Sequence, residues 1–230
     1  LPLLLKRGFK GKIFATAPTI DLTQLVLDDA YQIMRDDHRR EYRPMLYEME
    51  DVKKTFQRCA VMDYSRSRKI GDLSFRFRDA GHIFGSAFIE CVEQGGARVT
   101  FSGDIGNVHV PILRPTAQLA RTDGLVIEST YGNRWHEDES TREQKLAEAV
   151  KTIAHQKGTL LIPAFAIERT QQLLFELHKL NEKKKIPLMD VYLDSPLAID
   201  ATEVLKSYPQ YYDPEALAHM THGKNLFSFP

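Results

Sequence analysis

The feature that most constrains the fold is the stretch from residue 73 to residue 107, where strand-like runs end in glycine-rich turns. LSFRFRDA alternates apolar and polar residues, as a strand with one solvated face does. AFIECVEQGGARVTFSGD follows and predicts a β-hairpin that turns around Gly95 and Gly96. The turns GHIFG and SGDIG lie at the ends of these runs. This order places His82 and Asp104 side by side at one edge of a sheet.

His82 and Asp104 are residue types from which proteins build zinc sites. A neutral imidazole nitrogen and a carboxylate oxygen are both zinc ligands, and one carboxylate can bridge two ions because its oxygens can face different metals. Taken singly, a histidine beside glycines and a turn aspartate are more often structural. Two ligands do not hold a zinc ion, so the pair predicts part of a metal site. His109 and His136 follow closely enough to be weighed as further ligands.

The first third of the chain predicts helices around one short strand. LPLLLKRGF reads as a helix, GKIFATAPT as a strand, and the run from residue 22 to residue 34 as a helix capped by Thr19 or Asp21. Residues 36 to 48 predict a solvated helix end or loop, and EMEDVKKTFQRC predicts a second amphipathic helix. VMDYSRSRKIGD predicts a connector rich in turns.

The remainder of the chain alternates predicted strands and helices. DGLVIEST is apolar up to Glu128 and predicts a central strand. STREQKLAEAVKTIAHQKG predicts a helix with a Ser or Thr cap, and two further strands, TLLIPAFA and PLMDVYLDSP, each precede a helix. Such alternation is typical of a parallel βαβ sheet. The pattern changes near residue 133 from hairpins with flanking helices to alternating strands and helices. This change predicts two domains, residues 1–132 and residues 133–230.

Composition excludes several classes of protein. The 230 residues are 43% hydrophobic and 27% charged with zero formal net charge, which indicates a globular protein without a general nucleic-acid-binding tail. Cys59 and Cys91 lack CxxC spacing and predict buried free thiols in a reducing compartment. No apolar run approaches the roughly 18 residues of a membrane span. The opening LPLLLKRGFKG lacks the order of a signal peptide, so we expect a cytoplasmic protein with no membrane partner.

Three motifs, in order, resemble the metallo-β-lactamase superfamily and, within it, the β-CASP nucleases of RNA and DNA processing. DAGHIFGSA resembles the third metal motif, with His82 as its histidine, and FSGDIGN the fourth, with Asp104 as the aspartate that bridges two zinc ions. VIESTYGN resembles the strand of the first β-CASP motif, with Glu128 as its acidic residue. Within this group, the sequence most resembles bacterial and archaeal proteins related to the cleavage and polyadenylation endonuclease.

The resemblance implies an α/β fold and a hydrolytic function. Residues 1–132 would form a partial metallo-β-lactamase αββα sandwich, and residues 133–230 part of a parallel βαβ β-CASP domain. The implied activity is the zinc-dependent hydrolysis of RNA phosphodiester bonds, endonucleolytic or exonucleolytic, with two zinc ions in the intact enzyme. The implied substrate is single-stranded RNA, with DNA left open, and a homodimer is allowed.

The resemblance also assigns roles to individual residues. Glu128 would orient a histidine that protonates the leaving oxygen. Helix starts after PAFA and DSP would hold phosphates, with Arg169 and Ser195 as substrate-binding residues. Without a role in substrate binding, Arg169 would be an ordinary exposed helix residue and Ser195 a helix N-cap. Tyr131 and Trp135 would stack on bases or simply pack.

The sequence departs from the family in its missing histidine motifs. The HxHxDH signature, which supplies most of the zinc ligands, is not present, and neither are the two later β-CASP histidines. We therefore expect an internal piece of a larger enzyme, which by itself binds zinc weakly and has no appreciable nuclease activity. Two alternatives stay open: a non-catalytic β-CASP scaffold subunit, and a metallo-hydrolase of the same superfamily that acts on small thioesters or lactams. The retained His82, Asp104 and Glu128 disfavour the first alternative, and the β-CASP-like pattern disfavours the second.

Overall fold

The computed structural model describes residues 1–107, 110–134, 141–221 and 226–227. Its helices are α1 (Pro2–Lys6), α2 (Ala17–Glu41), α3 (Met49–Arg58), α4 (Arg142–His155), α5 (Arg169–Glu182), α6 (Pro196–Lys206) and α7 (Pro214–Thr221). Its strands are β1 (Ile13–Ala15), β2 (Cys59–Val61), β3 (Ser67–Ile70), β4 (Leu73–Asp79), β5 (Ala87–Glu93), β6 (Arg98–Phe101) and β7 (Gly124–Val126). The protein is therefore α/β. In the described ranges, no helix is both long and apolar enough to cross a bilayer.

A five-stranded sheet forms the centre of the first part of the chain. Its strand order is β3-β4-β5-β6-β7, antiparallel except for the parallel pair β6–β7. The period-two pattern is realised as predicted, because Phe75 and Phe77 share one face and pack near Phe14 of β1. On the other face Arg76 lies directly opposite the buried Glu90 and forms an ion pair with it. The predicted strand and hairpin are confirmed.

Two strands were not predicted from the sequence. β2 pairs in parallel with β1, and β3 pairs with β4, where a turn-rich connector was expected. Every residue of β3 is exposed, so the run SRKI carries no apolar pattern to mark it as a strand. Its conformation is set by pairing with β4, a tertiary partner that local sequence does not reveal.

Helix starts also differ from the prediction. α2 begins after Thr16, and the hydroxyls of Thr16 and Thr19 both donate to the Gly85 carbonyl instead of capping the helix. α2 extends to Glu41, so residues 36–41 form the solvated helix end that was predicted for the charged segment, and residues 42–48 form a loop. Thr141 makes no capping hydrogen bond with its side chain at α4. By contrast, α3 has a capping box, in which Glu48 and Asp51 exchange hydrogen bonds.

The apolar run before Glu128 was predicted to be a central strand, and this prediction is wrong for the described sheet. β7 is an outer strand there, and Leu125 and Val126 are exposed. A continuous apolar run reports hydrophobicity but not the position of a strand within its sheet.

The last hundred residues contain helices separated by segments without regular secondary structure. Strands were predicted at residues 159–166 and 187–194, and this prediction is wrong for the described structure. Neither run pairs with another strand there. Each run does precede a helix, as predicted. The two runs and one face of α5 line a cleft of about 790 Å³, along which Leu161 and Tyr192 are largely exposed.

One hydrophobic core joins both parts of the chain. Leu22 of α2 and Phe84 pack in the same cluster as Phe175 of α5 and Leu205 of α6. An isolated β-bridge between Leu113 and Tyr212 adds a backbone connection. The division at residue 133 stays a prediction.

The two cysteines are free, as predicted, although each is half-buried and not fully buried. Burial raises the pKa of the Cys59 and Cys91 thiols. The thiol form is therefore favoured at both positions, and a thiolate, which is the reactive form, is disfavoured.

Candidate metal and nucleic-acid site

His82 lies in a tight turn after β4. Gly81 has a φ of +63°, a conformation that favours glycine, and its N–H donates to Asp79 Oδ1 at 2.9 Å. The N–H groups of His82 and Ile83 both donate to Ser86 Oγ, at 3.1 and 3.2 Å. These hydrogen bonds fix the backbone of the turn and leave the imidazole exposed to solvent.

Asp104 lies in a second turn after β6, directly against the first. Gly106 N–H donates to the Ala80 carbonyl at 2.8 Å. A Cβ atom on Gly106 would lie 1.7 Å from Gly81 O, so the close approach of the two turns requires glycine there. As a result, His82 Nε2 lies 4.0 Å from Asp104 Oδ2. The structure brings together the two residues that the sequence predicted to be neighbours.

Glu128 follows β7 and completes this edge of the sheet. Its backbone N–H donates to Ser102 Oγ at 3.0 Å, and its carboxylate accepts hydrogen bonds from Ile105 N at 2.5 Å and Thr130 Oγ1 at 2.7 Å. The hydrogen bond from Ile105 and then that from Thr130 lower the pKa of Glu128, and the nearby imidazole of His82 adds to the effect. Glu128 is therefore held as a carboxylate beside the predicted metal ligands.

The chemistry of this donor pair fits zinc. Zinc bonds to nitrogen and oxygen are each about 2 Å long, so two ligand atoms of a tetrahedral ion lie roughly 3.3 Å apart. The 4.0 Å between His82 Nε2 and Asp104 Oδ2 would close to that distance with a small movement of these exposed side chains. No group of three or more potential ligands occurs among the residues that the structure describes. His82 and Asp104 are thus two candidate ligands, and zinc normally takes four. The other ligand candidates, His109 and His136, lie outside the described residues, as does Trp135.

The predicted substrate-binding residues occupy two helix starts. Arg169 is the first residue of α5, is exposed, and donates to Gln172 Oε1 at 3.0 Å. Ser195 caps α6, where its Oγ accepts a hydrogen bond from Ala198 N at 3.2 Å, and it lines the cleft beside the extended runs. In the described residues, no hydrogen bond or ion pair connects Ser195 with the His82 turn. Tyr131 is exposed and stacks under the guanidinium of Arg134.

Sequence reasoning missed Glu168, which connects the two parts of this site. Its side chain is buried, with 3% of the residue exposed, and accepts a hydrogen bond from the N–H of Phe84 at 3.2 Å. Burial raises the pKa of Glu168 to about 8. The motif AIERTQQ reads as an ordinary helix start, and nothing in it signals a buried carboxyl group.

The structure is that of an α/β protein in which a histidine and an aspartate lie next to each other at a sheet edge that also carries Glu128. Residues 170–229 match the β-CASP domain model. This match is consistent with the β-CASP family of the metallo-β-lactamase superfamily, as the motifs of the sequence suggested.

Curated relatives that the chain resembles include a ribonuclease, an endoribonuclease and a transcription termination factor. It is 34% identical to ribonuclease TTHA0252 of Thermus thermophilus, over 99% of the chain and 50% of that protein. It is 28% identical to endoribonuclease YSH1 of Kluyveromyces lactis, over 90% of the chain and 28% of that protein. It is 32% identical to transcription termination factor FttA of Methanothermobacter thermautotrophicus, over 99% of the chain and 36% of that protein. The chain spans half or less of the length of these relatives.

Proposed function

We propose that this chain contributes part of the zinc site and part of the RNA-binding surface of a ribonuclease. The observation that carries the proposal is the convergence of His82, Asp104 and Glu128 on one sheet edge, from three separate strand ends. Two of the relatives reported above bear the name of a ribonuclease or endoribonuclease, which supports RNA as the substrate.

We propose that His82 and Asp104 would hold the metal, the histidine through an imidazole nitrogen and the aspartate through its carboxylate. When bound, zinc would supply positive charge beside the scissile phosphate and would lower the pKa of water. The protein's own contribution is the fixed placement of these side chains, since both turns are tied by backbone hydrogen bonds. Glu128 stays ionised through its bonds to Ile105 and Thr130, and a carboxylate there can orient an imidazole that donates a proton.

Arg169 and Ser195 would contact the RNA backbone. Arg169 begins the 14-residue helix α5 and Ser195 precedes the 11-residue helix α6, so both lie where a helix favours a phosphate group. The exposed guanidinium of Arg169 can make two parallel hydrogen bonds to phosphate oxygens. We further propose single-stranded RNA as the substrate, a cytoplasmic location and a homodimer.

The test is cleavage of a labelled single-stranded RNA by the full-length protein loaded with zinc. His82→Ala and Asp104→Asn are each expected to lower the rate by at least about a hundredfold, because loss of a metal ligand removes the metal's stabilisation of charge. The matched control is His155→Ala, on the exposed end of α4, which should leave the rate unchanged. A rate that survives both ligand changes would overturn the proposal.

A test of the 230-residue chain alone shows whether its own residues are sufficient to bind zinc and cleave RNA. We expect well under one zinc per chain by elemental mass spectrometry and no appreciable cleavage, because two ligands do not offset the dehydration of the ion. About two zinc ions per chain, together with cleavage that His82→Ala abolishes, would show that other residues of this chain complete the site.

A further inference from the structure

The backbone of Glu168 adopts a strained conformation at the start of α5. Its φ is +71° and its ψ is −57°, and Arg169 N–H donates across it to Ile167 O at 3.0 Å. This is a γ-turn with a positive φ, which is rare and strained in residues other than glycine. Such strain persists only where surrounding contacts determine the conformation, and it concentrates at functional sites.

The contacts that hold Glu168 come from both parts of the chain. Oε2 accepts a hydrogen bond from Phe84 N at 3.2 Å, and Oε1 accepts one from Gln172 Nε2 at 3.3 Å. Gln172 N–H also donates to the Glu168 carbonyl at 2.9 Å. The pKa of about 8 shows that burial of this carboxyl group opposes its ionisation. A hydrophobic side chain would avoid that cost but could not bond to Phe84 or Gln172.

These hydrogen bonds continue to Arg169. Gln172 uses its amide nitrogen toward Glu168 and its amide oxygen, Oε1, to accept from Arg169 Nη1 at 3.0 Å. The order of donors and acceptors is therefore fixed from end to end. Because Phe84 N–H and Gln172 Nε2 are both donors, residue 168 must offer acceptors on both sides for the guanidinium of Arg169 to keep its partner.

The other end of this chain of hydrogen bonds is the turn that carries His82. Phe84 is 1% exposed, and its ring packs edge-on against Tyr212 in the shared core. His82 precedes it by two residues and shares the turn closed by Ser86 Oγ. A change in the position of Phe84 N–H therefore moves the backbone from which the imidazole of His82 extends.

We propose that Glu168 is a positioning residue that couples Arg169, the proposed phosphate contact, to the turn that carries His82. The inference rests on the proposed function, because it gives Arg169 and His82 the roles argued above. It adds that contact with RNA and placement of the metal ligand are linked through Glu168 and Gln172. Substrate binding at α5 then favours the geometry of the His82 turn, and the reverse.

The decisive variant is Glu168→Gln, which keeps the shape but replaces a carboxyl oxygen, able to accept a hydrogen bond whether or not the group is protonated, with an NH2 group that can only donate. The amide can still accept from Phe84 N–H, but it then presents N–H toward Gln172, which must rotate and lose Arg169. The full-length protein should bind a fluorescent single-stranded RNA about tenfold more weakly, as Arg169→Ala does. The ¹⁵N resonances of the His82 imidazole, assigned with His82→Ala, should shift in Glu168→Gln.

The matched control is the neighbouring glutamine. Gln171 is fully buried and donates to Ala198 O and Thr202 Oγ1, outside this chain of bonds. Gln171→Leu should lower the melting temperature while RNA affinity and the His82 resonances stay as in the parent. Gln172→Leu is the same glutamine-to-leucine change as Gln171→Leu, but it removes the bonds to Glu168 and Arg169 and should therefore weaken RNA binding. It also tests the coupling if Glu168→Gln fails to fold.

The double variant separates coupling from simple destabilisation. If Glu168 acts through Arg169, then Glu168→Gln combined with Arg169→Ala binds RNA no more weakly than Arg169→Ala alone. Independent, additive losses would overturn the inference. The inference would also be overturned if Arg169→Ala weakened RNA binding while Glu168→Gln and Gln172→Leu left it unchanged. That outcome would leave the proposed function intact. Unchanged RNA binding in Arg169→Ala would instead overturn the role given to Arg169 in the proposed function, and the coupling with it.

Discussion

At the scale of single residues, hydrogen bonding separates the polar groups that build the site from those that face a ligand. The hydroxyls of Ser86 and Ser102 accept hydrogen bonds from backbone N–H groups, which makes them structural. By contrast, the side chains of His82 and Asp104 are exposed, with 4.0 Å between His82 Nε2 and Asp104 Oδ2. A metal ion can thus meet this pair without breaking a hydrogen bond of the turns.

Glu168 makes the stability of the protein depend on pH. Its pKa rises from the ordinary 4.5 to about 8 in the folded state, so between these values the folded protein binds the proton more tightly than the unfolded chain does. Stability therefore falls as the pH rises through this window, by a few kcal/mol in total. In Glu168→Gln this contribution is absent. We expect the free energy of unfolding of the variant, relative to the parent, to increase from pH 5 to pH 9 in urea titrations.

The comparison between variant and parent isolates Glu168 from other shifted groups. Burial also raises the pKa of Asp79, Glu176 and Asp213, but these groups are common to both proteins and their effects cancel in the difference. Parallel stability curves for parent and variant across pH 5 to 9 would contradict the prediction. They would mean that the carboxyl group of Glu168 is ionised in the folded state at ordinary pH.

At the scale of elements, the close contact of two turns sets the site. Gly106→Ala would place a methyl group 1.7 Å from Gly81 O and 2.8 Å from His82 N, both of which are backbone atoms. The turns must then move apart, because neither backbone can rotate out of the way. We expect a loss of stability of about 2 kcal/mol or more and a shift of the His82 imidazole resonances, measured by urea unfolding and by NMR.

Gly95→Ala is the matched control for this change. Gly95 lies in the hairpin between β5 and β6, where an added Cβ would meet nothing within 4 Å. Its stability should change by less than about 0.5 kcal/mol, and the His82 resonances should stay in place. Equal effects of the two substitutions would show that the contact between the turns does not position His82.

The elements that could be predicted are those whose pattern is local. β4 and the hairpin of β5 and β6 follow a period of two, and the turns of His82 and Asp104 lie at strand ends that the pattern marks. β3 depends on its pairing with β4 and has no apolar pattern of its own. The runs at 159–166 and 187–194 are apolar enough to predict strands, yet hydrophobicity alone supplies no pairing partner.

The same distinction applies to the candidate site. His82, Asp104 and Glu128 could be predicted because glycines and strand ends identify each position, and a family resemblance orders them. Glu168 could not, because its burial depends on the packing of α5 against a turn 84 residues earlier in the sequence. Its positive φ also occurs in a residue type that sequence rules do not assign to that conformation.

At the scale of the whole molecule, the shared core determines how the two parts of the chain respond to change. Leu205 of α6 is fully buried in a cluster that also holds Leu22 and Phe84, residues from the other side of the predicted division. α2 packs against α6, and the Leu113–Tyr212 bridge lies beside this cluster. A core of this kind favours cooperative unfolding of both parts, since neither part can open without exposing the apolar surface of the other.

Leu205→Ala tests this cooperativity. We expect a loss of about 2–5 kcal/mol, because the change removes buried methyl groups and leaves a cavity. Hydrogen exchange under native conditions should accelerate together in β5 and in α5, elements from the two predicted domains. Leu161→Ala makes the same substitution where the side chain is 83% exposed and should change neither. Acceleration confined to residues 133–230 would show that the two parts unfold separately, and that the contact between Glu168 and Phe84 can break while the sheet that carries His82 stays folded.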